Sequence, residues 1–80
     1  MKKLNLTNLA LALVKCQRYQ ESISFCDKAL EVEHTYVKAL FLKGRALCMQ
    51  TEFTKAIEVF EDLVLHHPDN EEGKKELART

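Results

Sequence analysis

Moved along itself by 34 residues, this 80-residue chain falls onto its own pattern. Leu6 meets Leu40, Ala12 meets Ala46, Leu13 meets Leu47 and Ile23 meets Ile57. Ala10 meets Gly44, Ser22 meets Ala56 and Tyr19 meets Phe53, so small residues fall on small ones and aromatic on aromatic. A repeat of this kind constrains the fold more than composition does. Each copy is one small unit that buries its apolar face only by stacking on its neighbour. One more shift carries Gly44 onto Ala78, so the pattern runs on past the second copy.

Each copy reads as two helices around a tight turn. The first helix runs from Lys3 to about Cys16. The second runs from about Gln20 to Glu33, with Ile23, Cys26, Ala29 and Leu30 at i, i+3, i+6 and i+7. The third covers about Tyr36 to Gln50 and turns Ala39, Leu40, Leu42, Ala46 and Leu47 inward. The fourth, about Thr54 to His66, puts Ile57, Phe60, Leu63 and Val64 on one face, with Thr54 as candidate N-cap. Pro68 cannot continue the hydrogen-bond ladder and turns His67 away from helix. Asp69 or Asn70 then caps a fifth, mostly polar helix, in which Glu71 and Glu72 suit the positive end of the dipole. The expected architecture is all-α: repeats over 3–36 and 37–70, and a capping helix over 71–80.

Composition narrows the function classes. Twelve basic and twelve acidic residues cancel, which removes the electrostatic case for a nucleic-acid or membrane-surface binder. Cys16, Cys26 and Cys48 are odd in number and widely spaced, which argues against a disulfide framework and for a reducing, cytoplasmic setting. They are not clustered with the three histidines, so no metal site is expected. No Gly-rich phosphate loop and no nucleophile with a base and an orienting group stand out, so neither a cofactor nor catalytic residues are assigned. Met1, Lys2 and Lys3 before an apolar run resemble a secretory signal. Asn5, Thr7 and Asn8 interrupt that run, and Lys15 ends it with no cleavage site, so an internal helix is the reading. Leu4, Leu6 and the stretch from Leu9 to Val14 make this helix apolar nearly all round, which asks for packing on a second side.

A 34-residue period with two helices per period resembles the tetratricopeptide repeat. Gly44, Ala56, Phe60 and Pro68 match that motif in the second copy. Ala10, Ser22 and Ala29 match it in the first, with Cys26 in place of the aromatic and His34 in place of the proline. Gly44 and Ala56 are expected to let the helices of one hairpin approach closely. Phe60 is expected to fill the space towards the neighbouring hairpin, and Ala29 to let the second helix pack on the next one.

Asn8-Leu9-Ala10, Cys26-Asp27-Lys28-Ala29-Leu30 and Val37-Lys38-Ala39-Leu40-Phe41 further resemble the repeat domain of FK506-binding immunophilin co-chaperones. Such proteins carry a prolyl isomerase domain that is absent from these residues. The resemblance implies a groove along the first helix of each repeat, holding a chaperone tail that ends Glu-Glu-Val-Asp. It also implies a clamp on the tail's carboxylates: Lys and Asn from one repeat, Asn from the next, Lys and Arg from a third. Asn8 matches the Asn of the second of these repeats and Lys38 the Lys of the third. Leu42 stands where the Arg is expected, and Arg45 is the candidate to supply the missing charge. Phe41, Cys48 and Met49 give the expected groove an apolar lining. The alternative is a scaffold segment without a peptide site, whose first helix docks on an upstream repeat or on another copy of the chain.

Overall fold

The computed structural model describes residues 3–79, with side chains from Asn5 onward. Met1, Lys2 and Thr80, and with them the basic start of the chain and the last residue of the capping segment, lie outside the described residues. Five helices follow in order: α1 (Lys3–Lys15), α2 (Tyr19–Val32), α3 (Val37–Met49), α4 (Phe53–His66) and α5 (Glu71–Arg79). Among the described residues no strand is present. α1 packs on α2 and α3 on α4 as hairpins, α2 and α1 both touch α3, and α5 closes on α4.

Both hairpins turn by the same device, and no glycine is used for it. Gln17 and Thr51, one period apart, adopt left-handed backbone conformations with φ of 64° and 61°. In the first turn the Gln17 N–H donates to the Val14 carbonyl (3.0 Å) and the Arg18 N–H to that of Leu13 (2.8 Å). In the second, Thr51 donates to Cys48 (3.0 Å) and Glu52 to Leu47 (2.9 Å). This pairing is the Schellman motif, which satisfies the last carbonyls of a helix. Tyr19 and Phe53 open α2 and α4 instead of lying in the turns. The N-cap of α4 is therefore Glu52, without a side-chain cap bond, and Thr54 lies exposed inside the helix. The Thr54 cap expected from sequence is corrected accordingly: the tight turn brings the helix start two residues earlier.

Two apolar clusters make the core. One joins Leu6 and Ala10 of α1, Cys26 and Ala29 of α2, and Ala39 and Leu42 of α3. Ala29 thus sits where α2 meets the next hairpin. The other joins Ile23 of α2, Leu40, Ala46 and Leu47 of α3, and Ala56, Phe60 and Leu63 of α4. The Phe60 ring lies over Gly44, where an added Cβ would come within 2.6 Å of it, and meets Phe41 edge-on at 6.2 Å. Phe60 thus packs against its own hairpin, in a cluster that also takes in Ile23 of the first. Ala10, the counterpart of Gly44, accepts a hydrogen bond at its carbonyl from the buried Ser22 hydroxyl (2.8 Å).

Pro68 follows α4, whose last residue is His66. The His67 ring bonds the Thr35 carbonyl, tying the end of the second hairpin to the link between the two. Asn70, not Asp69, caps α5, accepting from the Gly73 N–H (2.6 Å). Gly73 is one period after Ala39, and a Cβ there would lie 2.8 Å from Leu63. A small residue is what lets α5 close on α4. Ala78, one period after Gly44, is exposed because among the described residues no sixth helix packs on it.

Candidate binding groove

The first helices of the two hairpins, α1 and α3, lie side by side and leave a groove of about 450 Å3. Helical spacing selects what lines it. On α1 these are Thr7, Asn8, Leu11, Val14 and Lys15, and on α3 they are Val37, Lys38, Phe41, Leu42 and Arg45. Residues three, four and seven apart share one face of a helix, so each wall carries alternating polar and apolar side chains. Asn70 and Glu72, at the start of α5, close one end.

Asn8, Lys38, Phe41 and Arg45, the four site residues read from the sequence, line this one groove. Asn8, Lys38 and Arg45 are exposed, and Phe41 is half-buried. The Arg45 guanidinium stands 6.0 Å from the centre of the Phe41 ring, at the outer edge of a cation–π contact that holds it over the groove. Leu42 is 9% exposed and reaches into the cluster with Leu6, Ala10 and Ala39. The residue in place of the expected Arg therefore forms the groove floor and part of the core at once. Met49 and Cys48 line an adjoining cavity of about 470 Å3 with Phe53, Glu76 and Arg79, and Arg45 borders both.

Three charged or amide residues of this groove escaped the sequence reading. Lys15 follows Asn8 by seven positions and Leu11 by four, the helical spacing that puts it on their face. Asn70 and Glu72 enter through the packing of α5, which no periodicity in α1 or α3 reveals. Among the described residues, Lys15, Lys38 and Arg45 have no acidic partner within ion-pair distance, whereas Lys43, facing away from the groove, is paired with Asp27 at 2.7 Å. Among the described residues the groove thus presents three uncommitted cations, two amides and an apolar floor, with Glu72 as its one acidic side chain. Such a surface suits a ligand with carboxylates and an apolar side chain.

Cys26 is fully buried, and burial, with a smaller contribution from Asp27, pushes its thiol up to about 12. Cys16 is exposed and Cys48 half-buried. Among the described residues no cluster of potential metal ligands forms, and no helix is long and apolar enough to cross a membrane.

The stacked helical hairpins and their shared turn give this chain the fold of a tetratricopeptide-repeat domain, with a groove along the first helices. No family model matches the chain. Its sequence is 34% identical over 71 residues to sperm-associated antigen 1 of Rattus norvegicus. It is equally similar to the peptidyl-prolyl cis-trans isomerase FKBP4 of Homo sapiens, 34% over 71 residues. Each match takes in 89% of this chain, which spans 8% of the first relative and 16% of the second. Its fold superposes on the second TPR domain of the human RPAP3 protein, solved in complex with the HSP70 peptide SGPTIEEVD. That match has a TM-score of 0.90 and 29% identity, and covers 98% of this chain and 65% of the other. The immunophilin-type resemblance read from the sequence thus has a counterpart among known proteins.

Proposed function

We propose that this chain binds the acidic C-terminal tail of a heat-shock chaperone in the groove between α1 and α3. In this reading it acts by binding and not by catalysis, as two repeats (3–36 and 37–70) and a capping helix (71–80) of an immunophilin-like, cytoplasmic co-chaperone. Asn8 and Lys38 donate to the carboxylates of the tail, Arg45 replaces the charge that Leu42 lacks, and Phe41 packs on an apolar side chain of the peptide. The observation that carries the reading is the convergence of these four residues on one groove that also holds no competing ion pair among the described residues. The fold shared with a domain solved around such a peptide adds support.

Titration with SGPTIEEVD tests it. Binding in the micromolar range is expected, weaker at high salt because the exposed charges are screened. Lys38→Ala and Asn8→Ala are each expected to weaken it severalfold, since charge-assisted hydrogen bonds carry the recognition. Absence of binding, or two variants that bind like the parent, defeats the proposal.

A second reading rests on the outer face of α1. Leu9 is 39% exposed, and Ala12 and Cys16 beside it are exposed as well. This stripe lies away from the groove and suits docking of a further helical hairpin, upstream or from another copy of the chain. Sedimentation across a concentration range separates the cases: self-association that Leu9→Lys abolishes favours it, and a clean monomer counts against docking between copies.

A further inference from the structure

We infer that Lys15 is a specificity residue of this groove, one that reads an acidic side chain upstream of the ligand's terminal carboxylate. The inference rests on the peptide-binding reading above and deepens it. Three observations converge on Lys15. It ends α1, where a cation is favoured by the negative end of the helix dipole. It lines the groove on the wall opposite Arg45, and among the described residues no acidic side chain pairs with it. It also lies far along the groove from Lys38, which stands in the first turn of α3, where the dipole adds positive potential.

The charges therefore form two poles. Lys38 makes one; Lys15 and Arg45 make the other; Asn8, the α1 counterpart of Leu42, lies between them with Leu11, Phe41 and the Leu42 floor. Seven residues separate Lys38 from Arg45, about 10 Å along a helix. An extended peptide covers that distance in about three residues. With its terminal carboxylate at Lys38, a bound tail brings an apolar side chain over Leu42 and Phe41. An acidic side chain three positions before the last residue then reaches Lys15 and Arg45. The occupant is thus a C-terminal peptide with an acidic residue at that upstream position, not any carboxyl terminus.

A double-mutant cycle across the interface tests this. SGPTIEEVD and the same peptide with its first glutamate changed to glutamine are each titrated against the parent and Lys15→Ala. The parent is expected to lose roughly threefold in affinity on the glutamine change, the size of an exposed ion pair. Lys15→Ala is expected to bind the original peptide more weakly than the parent and to lose less than the parent on the change, because Arg45 still faces that side chain. Equal binding by Lys15→Ala and parent, or two losses that simply multiply, overturns the inference while Lys38-dependent binding leaves the groove reading standing. No binding of either peptide to the parent overturns both. Circular dichroism of Lys15→Ala is expected to match the parent, because the side chain is exposed.

Discussion

Positions 10 and 44 are equivalent, one period apart in the first and second hairpins, as are 26 and 60, yet the two pairs are filled in opposite ways. The second hairpin uses Gly44 under the full ring of Phe60, with ring atoms 2.6 to 2.9 Å from where a Cβ would stand. The first carries the methyl of Ala10 and sets the small Cys26 in the same cluster. It also adds a hydrogen bond from Ser22 to the Ala10 carbonyl, where the second hairpin has only Ala56. The first hairpin carries one more methyl on its first helix but a much smaller side chain on its second, while the turn geometry is the same in both. What the repeat preserves is close contact at the crossing point and not one particular filling, since interiors are packed to crystal-like density and tolerate neither void nor overlap.

Breaking the larger filling has the larger cost. Phe60→Ala removes a fully buried ring and is expected to lose about 3–5 kcal/mol, a large part of the stability of a domain this size. Cys26→Ala removes one sulfur and is expected to lose about 1 kcal/mol. Paired denaturant titrations measure both, and equal losses would end the idea that the hairpins are filled differently. Next comes Gly44→Ala, which drives a methyl into the Phe60 ring and is expected to cost about 1–3 kcal/mol by overpacking. Adding Phe60→Cys imports the filling of the first hairpin. The double variant is then expected to be more stable than the sum of the two single losses allows.

The buried thiol separates the hairpins by pH. Its folded pKa of about 12 lies above the unfolded value of 9.0, so its contribution is whole below pH 9 and is lost as pH rises towards 12. Unfolding curves of parent and Cys26→Ala are expected to converge above pH 9. At neutral pH, Cys16 is expected to react with an alkylating reagent while Cys26 stays protected, which peptide mapping reads directly. The smallest effect concerns what the hairpins share. Thr51 is β-branched at a φ of 61°, a conformation its side chain resists, and Gln17 holds the same conformation without a branch. Thr51→Gly is expected to stabilise by about 1 kcal/mol and Gln17→Gly by less, read as midpoint shifts in urea.

The period of 34 residues made the helices legible, because the small residues at positions 10, 22, 44 and 56 recur only where helices must touch. The apolar surface of α3 was legible for the same reason. The turns were not. Gln17 and Thr51 take conformations that usually advertise themselves as glycine or asparagine, and here the helix-end hydrogen bonds impose them on residues without that preference. The cap of α4 was missed with them, since it depends on where the turn releases the chain. Asn8, Lys38, Phe41 and Arg45 were found through family resemblance and helical spacing together. Lys15 obeyed the same spacing but matched no motif position. Gly73 lay one period after Ala39 and was legible only to the repeat, its reason being the contact with Leu63.

The central claim is a place: a carboxylate-bearing peptide lies between the first helices of the two hairpins. Amide chemical-shift mapping during titration with SGPTIEEVD tests that most directly. The account predicts shifts concentrated at residues 7–15, 37–45 and 70–72. Shifts centred on α2 and α4, or on the outer face of α1 around Leu9 and Ala12, would contradict it, as would a spectrum that does not change.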